Sequence, residues 1–392
     1  REHLYESERH NVVRLILGKE EELDTRGYNK YTRSAALFNE WLKKEILIRD
    51  RYPSIYIYAQ QYSHKGKART RFGFIALMKI GDSKKNGVLP HEHTLQKPRK
   101  DRLRLIKATR ANLSPIFSVF EEKGGEINKI LKLTVKTKKP LFTQKTEGVV
   151  HRMWRLDDND AVNKIKYHMR DKKVFIADGH HRYRVACEYR DKMKNTKKFK
   201  YTMNYVMMYF SSLSEEGALT VLSTHRAVNN IKQFEEKKVR EKLERYFRIT
   251  SLASIEEMVE SVEKGRASKC AFGMYTGKKG IFLLTLKDGY LPNKLVKSKK
   301  PQSLKQLDVT ILHDLIIEKI LGIKNHKNSI KYVRDERDAA SLVESGGYQV
   351  ALFLKPTTVA DVKAVAEKGE MMPQKSTYFH PKLLTGLVIN RF

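Results

Sequence analysis

The segment Asp178–Arg182 places an acid, a glycine, two histidines and an arginine directly after four apolar residues at 174–177. The apolar run predicts a short buried strand, and the residues after Gly179 predict a helix. Amide N–H groups at a helix N-terminus, with the positive end of the helix dipole behind them, bind anions. Glycine at this point lets an anion approach the backbone closely. This DGHHR segment therefore predicts a site for an oxyanion such as phosphate.

The side chains of the DGHHR segment also suit phosphate chemistry. Arg182 carries a planar fork of donors for phosphate oxygens, and His180 and His181 can donate hydrogen bonds or transfer protons near neutral pH. Asp178, expected to cap the helix, could hold Mg²⁺, which takes one or two carboxylates together with phosphates. The alternative interpretation is that Asp178 is only a cap and the histidines are only surface polar residues.

The loop 91–94 adds a second set of reactive side chains, those of His91, Glu92, His93 and Thr94. Glu92 is suited to act as a general base toward a hydroxyl group. These histidines and those of the DGHHR segment could in principle bind zinc. No pair of them shows the HExxH spacing that places two ligands on one helix face, so we do not expect zinc.

Arginines follow this loop on a predicted helix. On a helical wheel Arg110 projects between Leu103 and Ile106, which places it on the apolar face. A buried arginine needs an anionic partner. That partner is either Glu92, in a purely structural pair, or a phosphoryl group that Arg102 and Arg110 would bind together.

A loop near the C-terminus contains Lys375 and Ser376 between Pro373 and Pro381. Loops on a rigid scaffold often carry binding residues, so this one could act as a lid or contact a substrate. The alternative is an ordinary polar connection, which the composition of the loop favours when it is taken alone.

Length and composition bound the class of protein. With 392 residues, 40% of them hydrophobic, the chain can bury real cores in two or three structural units. Two cysteines are too few for a disulfide framework, which favours a reducing compartment. No apolar run approaches the ~20 residues of a membrane span, and no signal peptide opens the chain. We expect a cytoplasmic protein without membrane association, and a truncated N-terminus because no initiator Met is present.

The net charge of +33 comes from 78 Lys plus Arg against 45 Asp plus Glu and would attract any polyanion. Nucleic acid is therefore a candidate partner. The basic residues are nevertheless scattered over nearly every predicted element, as on ordinary solvated surfaces, and no recognition helix or aromatic stacking surface is evident. The same field would also attract a phosphorylated metabolite.

Helices and strands alternate along the predicted chain. A helix over 31–44 precedes β-rich runs at 54–62 and 69–80, which predict a hairpin. The whole pattern predicts an α/β (α+β mixed) fold with mixed sheets and flanking helices. We expect two units, 1–230 with both reactive segments and 231–392, whose final loop and strand could return to the site.

Several long motifs, taken in order, resemble the bacterial and archaeal family called domain of unknown function 1015. They are PHEHTLQKPRKDRLRLIKATRANLSPIF, FIADGHHRYRVACEYRD, LSTHR, LDVTILHDLI and MPQKSTYFHPKLLTGLVI. The resemblance runs over essentially the whole chain. Because that family has no assigned activity, the resemblance does not imply a reaction.

The DGHHR segment also resembles the DGxHR signature of the ParB/sulfiredoxin-like fold, in which a nucleotide phosphate lies against that turn. Free-serine kinases of that fold use a glutamate base and a similar nucleotide motif. The resemblance implies such an element around residues 90–195, with Glu92 as base and His181 in the place of a threonine. It also implies Mg²⁺ and either ATP or ADP as cofactors.

We therefore expect a nucleotide-dependent phosphotransferase acting on a small hydroxyl-bearing metabolite, with serine as first candidate. Catalysis is assigned to Glu92, Asp178 and His181, metal binding to Asp178, nucleotide phosphates to Gly179, His180, Arg182, Arg102 and Arg110, and substrate to His91, Thr94, Asn112, Lys375 and Ser376. Two alternatives stay open: a ParB-like nucleotide or nucleic-acid binding protein without catalysis, and a phosphatase on the same anion site. The sequence does not decide the substrate, the phosphoryl donor or the oligomeric state.

Overall fold

The chain forms two compact units in the computed structural model. The first comprises Arg1–Pro90, Thr94–Thr220 and Pro381–Phe392, and the second comprises His91–His93 and Val221–His380. The structure describes residues 1–81, 87–214, 219–265, 270–278, 280–296, 300–324, 326–373 and 375–392. Helices and mixed sheets occur together, so the predicted mixed α/β fold is confirmed. The domain boundary expected at residue 230 stays a prediction.

The first unit is built on a mixed sheet of eight strands among the described residues. The strands of this unit are β1 (Ile55–His64), β2 (Lys67–Lys79), β3 (Val88–Leu89), β4 (Ala111–Asn112), β5 (Ile116–Phe120), β6 (Phe142–Thr146), β7 (Val149–Leu156), β8 (Val174–Asp178) and β9 (Tyr205–Ser212). All of these strands except β4 form the large sheet, in the order β3-β8-β5-β9-β2-β1-β7-β6. The pairs β3–β8 and β5–β9 are parallel, and β8 runs antiparallel to β5.

Helices flank this sheet. They are α1 (Glu2–Ser7), α2 (Val13–Ile16), α3 (Lys30–Lys43), α4 (Gln96–Thr109), α5 (Glu126–Thr137), α6 (Asn159–Met169) and α7 (His180–Met193), with a 3-10 turn at Tyr201–Asn204. The predicted helix over 31–44 corresponds to α3, whose N-terminus is closed by a capping box at Asn29. Helix α4 begins at Gln96, and Pro98 fits in its first turn because the first turn needs no N–H donor there.

The predicted hairpin is confirmed by antiparallel pairing of β1 with β2 around a turn at Lys65 and Gly66. Both turn residues have positive φ, 51° and 74°, which Gly66 adopts without steric cost. Strand β8 is buried along Val174–Ala177, as its unbroken apolar run predicts. The core of this unit packs apolar side chains of several strands together, among them Phe74, Ile176 and Met208.

The second unit contains an antiparallel sheet in the order β12-β14-β13-β16-β11-β15. Its strands are β10 (Thr220–Leu222), which the boundary between the units divides, β11 (His225–Val228), β12 (Phe247–Ser251), β13 (Ala271–Tyr275), β14 (Ile281–Leu286), β15 (Ile330–Val333), β16 (Val350–Leu354) and β17 (Tyr378–His380). Its helices are α8 (Glu236–Glu244), α9 (Ile255–Lys264), α10 (Pro292–Leu295), α11 (Gln302–Lys305), α12 (Asp308–Ile311), the π-helical stretch Leu312–Ile320, α13 (His326–Ser329), α14 (Glu336–Glu344) and α15 (Val359–Glu367).

The chain ends in the first unit, where β18 (Asn390–Arg391) pairs antiparallel with β4. Residues Pro381–Phe392 thus belong to the unit that carries the DGHHR segment, whereas the loop with Lys375 and Ser376 belongs to the second unit. Within the described ranges, no helix is both long and apolar enough to cross a membrane.

Candidate functional site

The DGHHR segment forms the junction between β8 and α7. Gly179 is the residue before the helix and has φ 101° and ψ 25°, a left-handed conformation that favours glycine. The expected cap at Asp178 is wrong. Because Gly179 intervenes at the N-cap position, Asp178 lies one residue further out and its carboxylate is held by cations instead.

Asp178 forms two ion pairs within the first unit. Its Oδ2 accepts from Arg182 Nη2 at 2.7 Å, and its Oδ1 accepts from Lys382 Nζ at 2.6 Å. Burial would raise the pKa of this carboxyl, but the charges of Lys382 and Arg182 lower it to about 2. Asp178 is therefore ionised at neutral pH and is a poor proton acceptor.

Arg182 is fixed by several acceptors at once. Besides Asp178, it donates through Nη1 to Ser114 Oγ at 3.0 Å and to the carbonyl oxygen of Pro115. Its guanidinium lies over Gly179, since a Cβ added at Gly179 would be 2.9 Å from Arg182 Nε. Arg182 therefore contributes a positive charge at the turn in a fixed position.

A cavity of about 410 Å³ opens beside this turn. The charged groups on its wall include Arg102, Arg182, Lys382 and Asp178. Apolar side chains form other parts of the wall, among them Ile106, Leu113, Ile116, Val185 and Val206. Asp101 also lies on the wall, and its carboxylate is bonded to Tyr31 at 2.8 Å and Lys30 at 3.1 Å. The cavity thus combines an apolar surface with a cluster of cations.

Asn112 lines the same cavity at the end of β4. Its Oδ1 accepts from the amide of Met207 and from Asn390 Nδ2, both at 3.2 Å. The side chain is thereby held in place on the cavity wall. Of the residues predicted from sequence, the structure brings Arg102, Asn112, Asp178 and Arg182 together here.

The two histidines of the segment differ in surroundings. His180 is buried, and burial lowers its pKa to about 4, so the ring is neutral at pH 7. His181 Nε2 accepts a hydrogen bond from the amide of Leu95 at 2.9 Å. This contact ties the start of α7 to the chain just before α4.

Arg110 does not lie on the apolar face that the helical wheel indicated. Helix α4 ends at Thr109, and Arg110 follows it in a left-handed conformation with φ 51° and an exposed side chain. The left-handed turn rotates its side chain away from the positions of Leu103 and Ile106. Neither Arg110 nor Thr94 is among the described residues that line the cavity.

The remaining predicted residues lie together in the second unit. Glu92 Oε1 accepts from the amide of Lys375 at 3.2 Å, and His91 O accepts from the amide of Met372 at 2.6 Å. Ser376 Oγ donates to Pro373 O at 2.6 Å. Lys375 has φ 57°, a strained conformation for a residue with a side chain. Gln374 of this predicted loop lies outside the described residues.

A family model described as "Protein of unknown function (DUF1015)" matches residues 1–310. The chain belongs to this family. No curated protein matches it significantly.

Solved structures similar to this DUF1015 chain include a conserved hypothetical protein from Pyrococcus furiosus. It has 16% identity and a TM-score of 0.36, covering 79% of this chain and 92% of that one. A free serine kinase in complex with AMP has 14% identity and a TM-score of 0.37, covering 78% and 86%. SbnI with a C-terminal truncation, from Staphylococcus aureus, has 12% identity and a TM-score of 0.37, covering 81% and 87%. Likeness of this extent carries no inference about activity.

Lys382 is a cavity residue of this DUF1015 chain that sequence reasoning missed. It is the only charged residue in the stretch 381–389, which is otherwise largely apolar. A lone lysine among apolar residues near a chain end was the available signal. Its partner Asp178 is 204 positions away, so local pattern could not pair them.

The residues at Asp178 do not fit a directly bound Mg²⁺. Both carboxylate oxygens are engaged by cations, Lys382 and Arg182. Within the described part of the chain, no group of three or more His, Cys, Asp or Glu side chains could hold a metal ion. We therefore derive no step through Mg²⁺ at this position.

Proposed function

We propose that this protein is a nucleotide-dependent phosphotransferase that acts on a small hydroxyl-bearing metabolite, with serine as the first candidate. The cavity of the first unit carries this proposal. Its volume of about 410 Å³ is in the range of small-molecule sites. Apolar walls suit a nucleotide base, and the cluster of Arg102, Arg182 and Lys382 suits its phosphates.

Phosphoryl transfer depends on charge neutralisation and positioning more than on covalent help from the protein. The cations on the cavity wall, among them Arg182 in the first turn of helix α7, supply positive potential at one place. In the reaction that we propose, the substrate hydroxyl oxygen forms a bond to the terminal phosphorus of the nucleotide. The bond to the bridging oxygen breaks, and the shortened nucleotide leaves.

The hydroxyl proton needs an acceptor. Asp178, with a pKa of about 2, is too weak a base for this role. We assign the role to Glu92, whose Oε1 accepts the Lys375 amide. Lys375 and Ser376 are assigned to the substrate on the same proposal, together with His91 and Thr94.

Calorimetric titration with ATP and with ADP tests the binding site. Arg102→Ala should weaken nucleotide binding roughly 10- to 100-fold, as expected for a lost charge-assisted hydrogen bond. Arg104→Ala is the matched control, because Arg104 is an exposed arginine on the same helix and is not among the residues that line this cavity. Equal losses in both variants would point to general charge attraction and refute the cavity as the site.

Transfer from ATP or ADP to serine and related alcohols tests the reaction. Glu92→Gln should lower kcat by about 10²-fold or more while nucleotide affinity is kept. Phosphate release from phosphoserine without nucleotide would instead identify a phosphatase. Nucleotide binding without turnover of any hydroxyl substrate would identify a binding protein.

The net charge of +33 favours a second candidate, a protein that binds nucleic acid. Such binding would depend steeply on salt, because it releases counterions from the phosphate backbone. Duplex affinity that falls steeply between low and physiological salt, with no thermal stabilisation by nucleotide, would favour this candidate over the phosphotransferase.

A further inference from the structure

Lys382 reaches Asp178 from a segment that buried side chains hold in place. Gln60 Nε2 donates to Lys382 O at 2.8 Å, and Arg71 Nη2 donates to Pro381 O at 2.5 Å. The amide of Leu384 donates to Tyr58 Oη at 3.3 Å. Because these side chains of β1 and β2 are buried, the backbone around Lys382 is fixed by the sheet rather than by solvent-exposed contacts.

The ammonium of Lys382 lies against one oxygen of the Asp178 carboxylate. It lies 2.6 Å from Asp178 Oδ1, while Oδ2 is bonded to Arg182. Mg²⁺ needs oxygen ligands at about 2.0–2.1 Å in near-octahedral geometry, and the ammonium blocks that approach. One carboxylate between two cations also leaves a net positive charge, which repels a dication and attracts a phosphate.

We propose that Lys382 takes the place of a divalent cation at Asp178, so that this cavity binds the phosphates of a nucleotide without Mg²⁺. This inference rests on the proposed function. Asp178 positions the ammonium, and Lys382 and Arg102, both on the cavity wall, contact the phosphate oxygens. Arg182 positions Asp178 from the other side.

Calorimetric titration of the full chain with ADP, in EDTA and in excess Mg²⁺, tests the proposal. The unaltered protein should bind ADP at least as tightly in EDTA as in Mg²⁺. Lys382→Met should bind roughly 10- to 100-fold more weakly in EDTA, because a charged donor to phosphate is lost. Mg²⁺ should restore part of that loss, since Asp178 Oδ1 is then open to a cation.

Two further variants complete the test. Lys382→Arg keeps the charge and should keep binding in EDTA, which provides a readout if the methionine variant fails to fold. Lys107→Met removes an exposed lysine of α4 that is not among the cavity-lining residues and should leave binding unchanged.

ADP binding by the unaltered protein that disappears in EDTA would overturn this inference and leave the proposed function standing. Unchanged binding by Lys382→Met in EDTA would overturn it as well. Failure to bind ADP under both conditions would refute the proposed function, and the inference with it.

Discussion

Gly179 meets two requirements at the turn between β8 and α7. Its backbone is left-handed, and the Arg182 guanidinium lies close to where a Cβ would be, with Nε and Nη2 2.9 Å from that position. From sequence, this glycine was expected to make room for an anion. In the structure the room beside it is taken by an arginine that Asp178, Ser114 and Pro115 hold.

Gly179→Ala is expected to destabilise the protein by roughly 1–3 kcal/mol from backbone strain, with a further loss from displacing Arg182. Urea unfolding measures the total. Gly66→Ala is the matched control, since Gly66 has φ 74° and no atom within 4 Å of an added Cβ. Equal losses in the two variants would show that displacement of Arg182 costs nothing.

At the scale of elements, β1, β2 and β7 share a cluster of buried polar side chains. Tyr58 Oη lies 2.6 Å from His151 Nδ1, and Arg71 donates to Gln60 Oε1. The β-rich composition of the runs at 54–62 and 69–80 predicted strands β1 and β2. It did not predict that polar side chains would point inward to hold the C-terminal segment 381–384.

Tyr58→Phe should therefore destabilise the protein by about 1–3 kcal/mol, because the buried His151 ring and the Leu384 amide lose a partner. It should also weaken ADP binding, since the segment that carries Lys382 is loosened. Unfolding in urea and calorimetry give the two readouts. Tyr52→Phe, at an exposed tyrosine, serves as control and should change neither. Unaltered stability in Tyr58→Phe would contradict the structural role of this network.

At the scale of the whole molecule, buried histidines link stability to pH. Burial lowers the pKa of His151 and of His180 to about 4, and that of His313 well below its usual range. An unfolded chain restores a histidine pKa of about 6.5. Below that pH the unfolded state takes up protons that the folded state does not, so acid favours unfolding.

Stability should therefore fall as pH decreases from about 6.5 toward 4, by up to about 1.4 kcal/mol per pH unit for each of these histidines. Urea unfolding at several pH values between 7.5 and 5 measures the slope. His151→Gln should reduce the slope of unfolding free energy against pH by the contribution of one histidine. His3→Gln, at an exposed position, should leave the slope unchanged. A slope that His151→Gln does not alter would contradict the assignment. Asp178 contributes to stability through its negative charge. This contribution is lost at lower pH, as pH falls from about 3.8 toward 2.

Local patterns in the sequence were sufficient for many elements. The apolar run before Asp178, the amphipathic helix α3 and the β1–β2 hairpin all depend on residues close together in the chain. Propensity and periodicity act over that range. The same reasoning misplaced Arg110, because the end of a helix depends on a single left-handed residue that a helical wheel does not show.

The sequence by itself determined the mixed α/β fold and the family, since each depends on short motifs or on summed composition. Only the tertiary structure decided which cations surround Asp178. Its pairing with Lys382 joins residues 204 positions apart and depends on buried bonds from β1 and β2 to the C-terminal segment. Contacts at that separation arise from packing of distant elements, which no local pattern in the chain specifies.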